Sequence, residues 1–164
     1  MQKMSSHLIR CHWNLPKLHP FSLKKITESK TGYPPADMHE AVHLGIYTAG
    51  HDLYGKIGGK EFLFESGDCW LSAPWEPHSF YSLENCTFYL FTFEANAMES
   101  LLLPYKQRFR QMLHTPAEFR LKLLKKAPNL SKVITTSPSS TAIWLSFGAW
   151  FAEWCANCQE TELP

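Results

Sequence analysis

The sequence predicts a mainly β fold: a small barrel of short strands around a ligand cavity, followed by C-terminal α-helices. Three observations predict it. Between residues 21 and 94, short runs rich in aromatic and β-branched residues are broken by Gly and Pro, the punctuation of a barrel or sandwich. Within these runs, residues 37–47 alternate. If they are extended, Asp37, His39, Ala41, His43, Gly45 and Tyr47 share one face, while Glu40, Val42, Leu44 and Ile46 share the other. A histidine-bearing face backed by a largely apolar one suits the inner wall of a barrel that holds a ligand. After Glu94 the period changes from two to the helical spacing.

Taken in order, residues 1–20 read as a polar N-terminal arm, residues 21–95 as the barrel and residues 96–164 as a helical region. The arm carries Arg10, His12 and Trp13, and a short strand is possible around residues 8–13. Phe21, Leu23 and Ile26 mark the first barrel strand, and Gly32, Pro34 and Pro35 end it. Strands over residues 38–48, 52–57 and 60–65 follow. The last two meet across Gly58-Gly59, a hairpin signal because a type I′ turn needs positive φ at both central positions. Ser66-Gly67-Asp68 turns into a short buried strand at 69–73, and strands at 79–83 and 87–94 complete the set. Tyr105, Phe109, Met112 and Leu113 lie on one face of a helix. Thr115-Pro116-Ala117-Glu118 has the pattern of a capping box opening a second helix, which Pro128 stops. A last helix runs from Ser137-Pro138-Ser139 to about residue 157. Trp144, Phe147, Phe151 and Trp154 form an apolar stripe along it, which suggests either a fully internal helix or a homodimer interface.

A chain of 164 residues with 45% hydrophobic and 14% aromatic content is long enough to bury one proper core. A net charge of +1 argues against a nucleic-acid-binding polycation. Eight of the sixteen Lys and Arg residues lie in 105–132, where they read as a solvated helix face. No stretch has the length and hydrophobicity of a membrane span, and no signal-peptide pattern opens the chain. Five cysteines, an odd number, fit free thiols in the cytoplasm, and Cys155-x-x-Cys158 reads as two thiols at a helix end.

Two stretches resemble the paired motifs of the cupin family. Asp37-x-His39, His43 and Gly50 reproduce the spacing of the first motif, with Asp37 where His is usual and His43 where Glu is usual. Gly67-Asp68, the strand after it, Pro74 and His78 match the second. The Ala73-Pro74-Trp75-Glu76-Pro77-His78 form looks most like the N-terminal sensor domain of AraC-type transcription regulators. The resemblance implies a cupin-like (double-stranded β-helix) barrel that binds a small effector. It also implies dimerisation through the C-terminal helix and DNA contact only through a helix-turn-helix domain absent from this chain. The closing residues 160–164 read as a linker to such a domain. Thr115–Arg120 echoes part of that domain, but it is too close to the barrel to belong to one.

The expected ligand site comprises His39, His43, His78 and Asp37, with Tyr47, Tyr54 and Trp75 as stacking platforms for a small polar molecule such as a sugar. Three imidazoles and a carboxylate also suit a divalent transition metal held by Asp37, His39, His43 and His78. The two departures from the family's ligand set, and the regulator branch's usual independence of metal, favour an effector sensor without a metal cofactor. The alternative is a metal-dependent cupin enzyme, an isomerase or dioxygenase.

Overall fold

Strand formation follows the alternation of side chains that have two apolar environments to enter. The computed structural model describes residues 9–10, 21–28, 32–123 and 139–157. Its strands are β1 (Ile9–Arg10), β2 (Phe21–Glu28), β3 (Asp37–Met38), β4 (Val42–Gly50), β5 (Leu53–Ile57), β6 (Lys60–Phe64), β7 (Cys69–Ser72), β8 (His78–Tyr81) and β9 (Cys86–Phe93). Its helices are α1 (Ala95–Leu101), α2 (Lys106–His114), α3 (Ala117–Leu123) and α4 (Ser140–Asn157), with a 3-10 turn at Leu103–Tyr105. One sheet has the order β1-β3-β8-β5-β6 and the other β2-β9-β4-β7. All pairings are antiparallel except that of β1 with β3.

The four-stranded sheet is buried on both faces, and parity sorts its residues. Val42, Leu44 and Ile46 of β4, Leu71 of β7 and Phe91 and Phe93 of β9 share a core with Met98, Phe109, Phe147 and Phe151 of the helices. The alternate residues Tyr47, Trp70, Phe88 and Leu90 pack inside the barrel with Leu53, Ile57 and Phe64 of the other sheet. Phe91 stacks on Phe147 at 4.6 Å, and Phe21 on Trp144 at 4.6 Å, so aromatic contacts tie α4 to the sheet.

Local signals behave as their chemistry requires at the β5–β6 turn, where Gly58 and Gly59 have φ of 58° and 83°. A side chain at Gly45 is excluded for a different reason: Trp70 pairs with it across the sheet and lays its indole over it.

Two expectations need correction. The strand at 37–47 is not continuous: β3 ends at Met38 and β4 begins at Val42. The break at 39–41 is held by the Trp75 amide donating to the His39 carbonyl at 2.7 Å. The Thr115–Glu118 capping box does not form. The Thr115 hydroxyl donates back to the Gln111 carbonyl at 2.7 Å, and Glu118 pairs with Lys60 at 3.8 Å. The apolar stripe on α4 takes the internal one of its two expected settings. Trp144, Phe147 and Phe151 are buried against the barrel and Trp154 packs at the edge of the same core, leaving Leu145, 58% exposed, on the outward side.

The basic run is also more structural than its charge suggested. Arg120 is buried, Arg108 donates to the Cys155 and Ala156 carbonyls near the end of α4, and Lys106 and Arg110 pair with Glu99. Pro128 and residues 124–132, His12 and Trp13 of the arm, and Cys158 lie outside the described residues. Cys155 is buried in the helix–sheet core.

Candidate functional site

The break between β3 and β4 builds the site. It lets His39 turn inward from the loop while His43 projects from β4 and His78 from the start of β8. The three imidazoles face one another, with ring centroids 4.1 Å apart for His39–His43, 4.9 Å for His39–His78 and 5.1 Å for His43–His78. Their ligating nitrogens lie within 4.8 Å of one another, and all three residues are buried.

Burial and mutual proximity keep this cluster neutral. Desolvation, then the neighbouring His39, His78 and Lys24, push the His43 pKa down to about 2. Burial and the adjacent His78 lower that of His39, and burial lowers that of His78. The His78 Nδ1 lies 2.8 Å from the Glu76 carbonyl. A carbonyl can only accept, so Nδ1 carries the proton and Nε2 keeps its lone pair.

Glu76 is itself anchored. Its carboxylate accepts from the Ala73 amide at 2.8 Å and pairs with Arg120. Arg120 is 2% exposed, and it also donates to the Thr115 carbonyl at 2.7 Å and the Leu71 carbonyl at 3.2 Å. A side chain of α3 thus holds the turn that presents His78. Sequence reading missed Arg120 because nothing in its local spacing shows a partner 44 residues away.

A cavity of about 220 Å³ opens beside the histidines. Asp37, His43, His78 and Ser79 supply its polar groups together with Lys24, and Ile26, Phe80, Phe88 and Leu90 supply apolar wall. Of the expected residues, His43, His78 and Asp37 line it, and His39 sits behind them in contact with both other imidazoles. Asp37 pairs in register with His78 but is exposed and stands outside the imidazole cluster.

The three expected aromatic platforms are elsewhere. Tyr47 is inside the barrel but buried in its packed end, its hydroxyl donating to the His51 carbonyl. Tyr54 has the opposite parity to buried Leu53 and Gly55, and it stacks on Tyr81 at 4.8 Å away from the cavity. Trp75, with φ of 62°, is 46% exposed on its loop. Phe80 and Phe88 take the place of these residues at the cavity. A residue of β2, Lys24, was also not anticipated, although strict alternation from Ile26 could have found it.

The neutral imidazole trio has the donor chemistry for a divalent transition metal, since each ring offers a lone pair and the Glu76 carbonyl orients one of them from outside. A metal held by His39, His43 and His78 would supply Lewis acidity next to the cavity.

The model for the AraC-like ligand binding domain matches residues 25–134. No curated protein sequence matches the chain. Among solved structures, a cupin protein from Bacteroides fragilis is 14% identical, with a TM-score of 0.42 over 47% of this chain and 68% of that one. The cupin domain of an XRE family transcriptional regulator from Enterobacter cloacae is 14% identical, with a TM-score of 0.42 over 49% of this chain and 88% of that one. A salicylate 1,2-dioxygenase from Pseudaminobacter salicylatoxidans is 12% identical, with a TM-score of 0.42 over 45% of this chain and 22% of that one. Two facing sheets with helices packed on one of them, the paired histidine motifs and a family match over residues 25–134 agree: the chain belongs to the family of cupin-type AraC-like ligand-binding domains.

Proposed function

We propose that the chain is the effector-sensing part of a cytoplasmic transcription regulator. It binds one small molecule in the barrel cavity and passes the binding state to a helix-turn-helix domain outside this chain. The observation that carries this reading is the cavity itself, which joins neutral imidazoles to apolar wall from both sheets, the make-up of a small-molecule pocket. The Glu76–Arg120 link supports a route outward, because a shift of the turn before His78 must be felt by α3. The expected sugar would have to stack on Phe80 or Phe88, the aromatics that line the cavity, rather than on Tyr47, Tyr54 or Trp75. The reading includes a homodimer through the outward side of α4, where Leu145 is exposed.

The convergence of His39, His43 and His78 favours a second reading, a metal-dependent cupin enzyme. One experiment separates the two. The chain is purified without chelator, analysed for transition metals and screened by thermal shift against small polar and amphipathic compounds. The sensor reading expects well below one equivalent of metal and a compound whose stabilisation disappears in His43→Ala and His78→Ala variants. Stoichiometric metal that is lost in those variants, with turnover of a bound compound, would establish the enzyme instead.

A further inference from the structure

Register turns Lys24 to the cavity side of β2, where it stays exposed at the cavity's rim. Directly opposed residues of an antiparallel pair point to the same side. Lys24 is opposite Leu90 and Ile26 opposite Phe88, and both partners belong to the inner core. Lys24 therefore extends over the cavity, which it lines beside His43.

Among the described residues the other charged group on the cavity is Asp37, on β3 of the facing sheet. The two charges thus sit on opposite walls, with neutral histidines and Phe80, Phe88, Ile26 and Leu90 between them. This arrangement discriminates among ligands. The ammonium attracts an anionic group, the apolar wall takes a ring or short hydrocarbon body, and the Asp37 carboxylate repels a second negative charge. The space of about 220 Å³ sets the size. A cavity of about 150 Å³ accommodates benzene, so this one has room for a single ring and one small substituent.

Resting on the sensor reading, we propose that the effector is a small monoanionic carboxylate with a ring-sized apolar body, its carboxylate held by Lys24. A phosphate monoester is disfavoured, because it carries close to two negative charges at neutral pH and Asp37 opposes the second.

An inward lysine on an edge strand can also serve only to discourage pairing with another chain. The test separates these roles through an acid–amide comparison. Binding of benzoate and of its near-isostere benzamide to the full chain is measured by calorimetry, for the wild type and for Lys24→Met and Lys24→Arg. The expected result is benzoate at least tenfold tighter than benzamide in the wild type. That preference collapses to within twofold in Lys24→Met and persists in Lys24→Arg. Equal binding of acid and amide by the wild type, or a preference that survives in Lys24→Met, overturns the proposal. If Lys24→Met does not fold, the wild-type acid–amide ratio and its persistence in Lys24→Arg decide alone. A neutral polyol that binds where benzoate does not overturns the carboxylate assignment and leaves the sensor reading standing. No binding by benzoate or by any neutral compound overturns both.

Discussion

Acidification should weaken the fold through His43 by an amount that can be worked out. In the folded chain its pKa is about 2, because the ring is buried against His39 and His78 with Lys24 nearby. In the unfolded chain it takes a proton near the ordinary value of about 6.5. The unfolded state therefore binds more protons throughout the window from about 6.5 down to about 2. Stability from this residue is complete above 6.5 and is lost as pH falls. Between pH 7 and pH 5 the loss comes to about 2 kcal/mol, approaching about 1.4 kcal/mol per pH unit at the lower end. Its size over this interval depends only on the folded value lying below 5. The lowered pKa values of His39 and His78 add to it in the same direction. Urea unfolding at pH 7, 6, 5.5 and 5, with chelator present, measures the slope. The His43→Gln variant should lose about 2 kcal/mol less than the wild type between the end points. Parallel slopes for the two proteins would refute the reasoning, because they would mean that His43 is protonated as readily in the folded state as in the unfolded one.

Three further outcomes are expected. Gly45→Ala places a Cβ 1.9 Å from the Trp70 ring and should cost at least about 1–3 kcal/mol, a loss that Trp70→Leu partly recovers in the double variant when unfolding is followed by urea. Arg120→Met leaves the Glu76 carboxylate without its buried partner and should cost about 3–5 kcal/mol, more than the Glu76→Gln/Arg120→Met pair, so a double-mutant cycle without coupling would contradict the link. On α4, Phe147→Ala should cost about 3–5 kcal/mol by core loss, while Leu145→Glu should leave the melting temperature nearly unchanged and weaken self-association in sedimentation over a dilution series.

Much of the architecture is local and therefore legible in the chain itself. Gly58-Gly59 demands its hairpin through backbone sterics, and the two-residue period of Val42, Leu44 and Ile46 against His43 and Tyr47 dictates which side chains share a face. His43 shares the parity of Tyr47 on the inner face, and the spacing of His39, His43 and His78 matches that of the paired cupin motifs. What the sequence by itself could not determine is what stands beyond each face. Both faces of the four-stranded sheet are covered, so the apolar stripe of α4 finds its partner within the chain. Tyr54 and Trp75 are as aromatic as Phe80 and Phe88, but only the register of β5 with β8, and the path of the 73–77 loop, decide which rings reach the cavity. Lys24 and Arg120 look like ordinary solvated cations in their own segments. One turns to the cavity, still exposed, because β2 pairs with β9 in a particular register, and the other is buried because α3 docks beside β7 and meets Glu76. Those placements depend on contacts between residues far apart in sequence, which only the packed tertiary structure brings together.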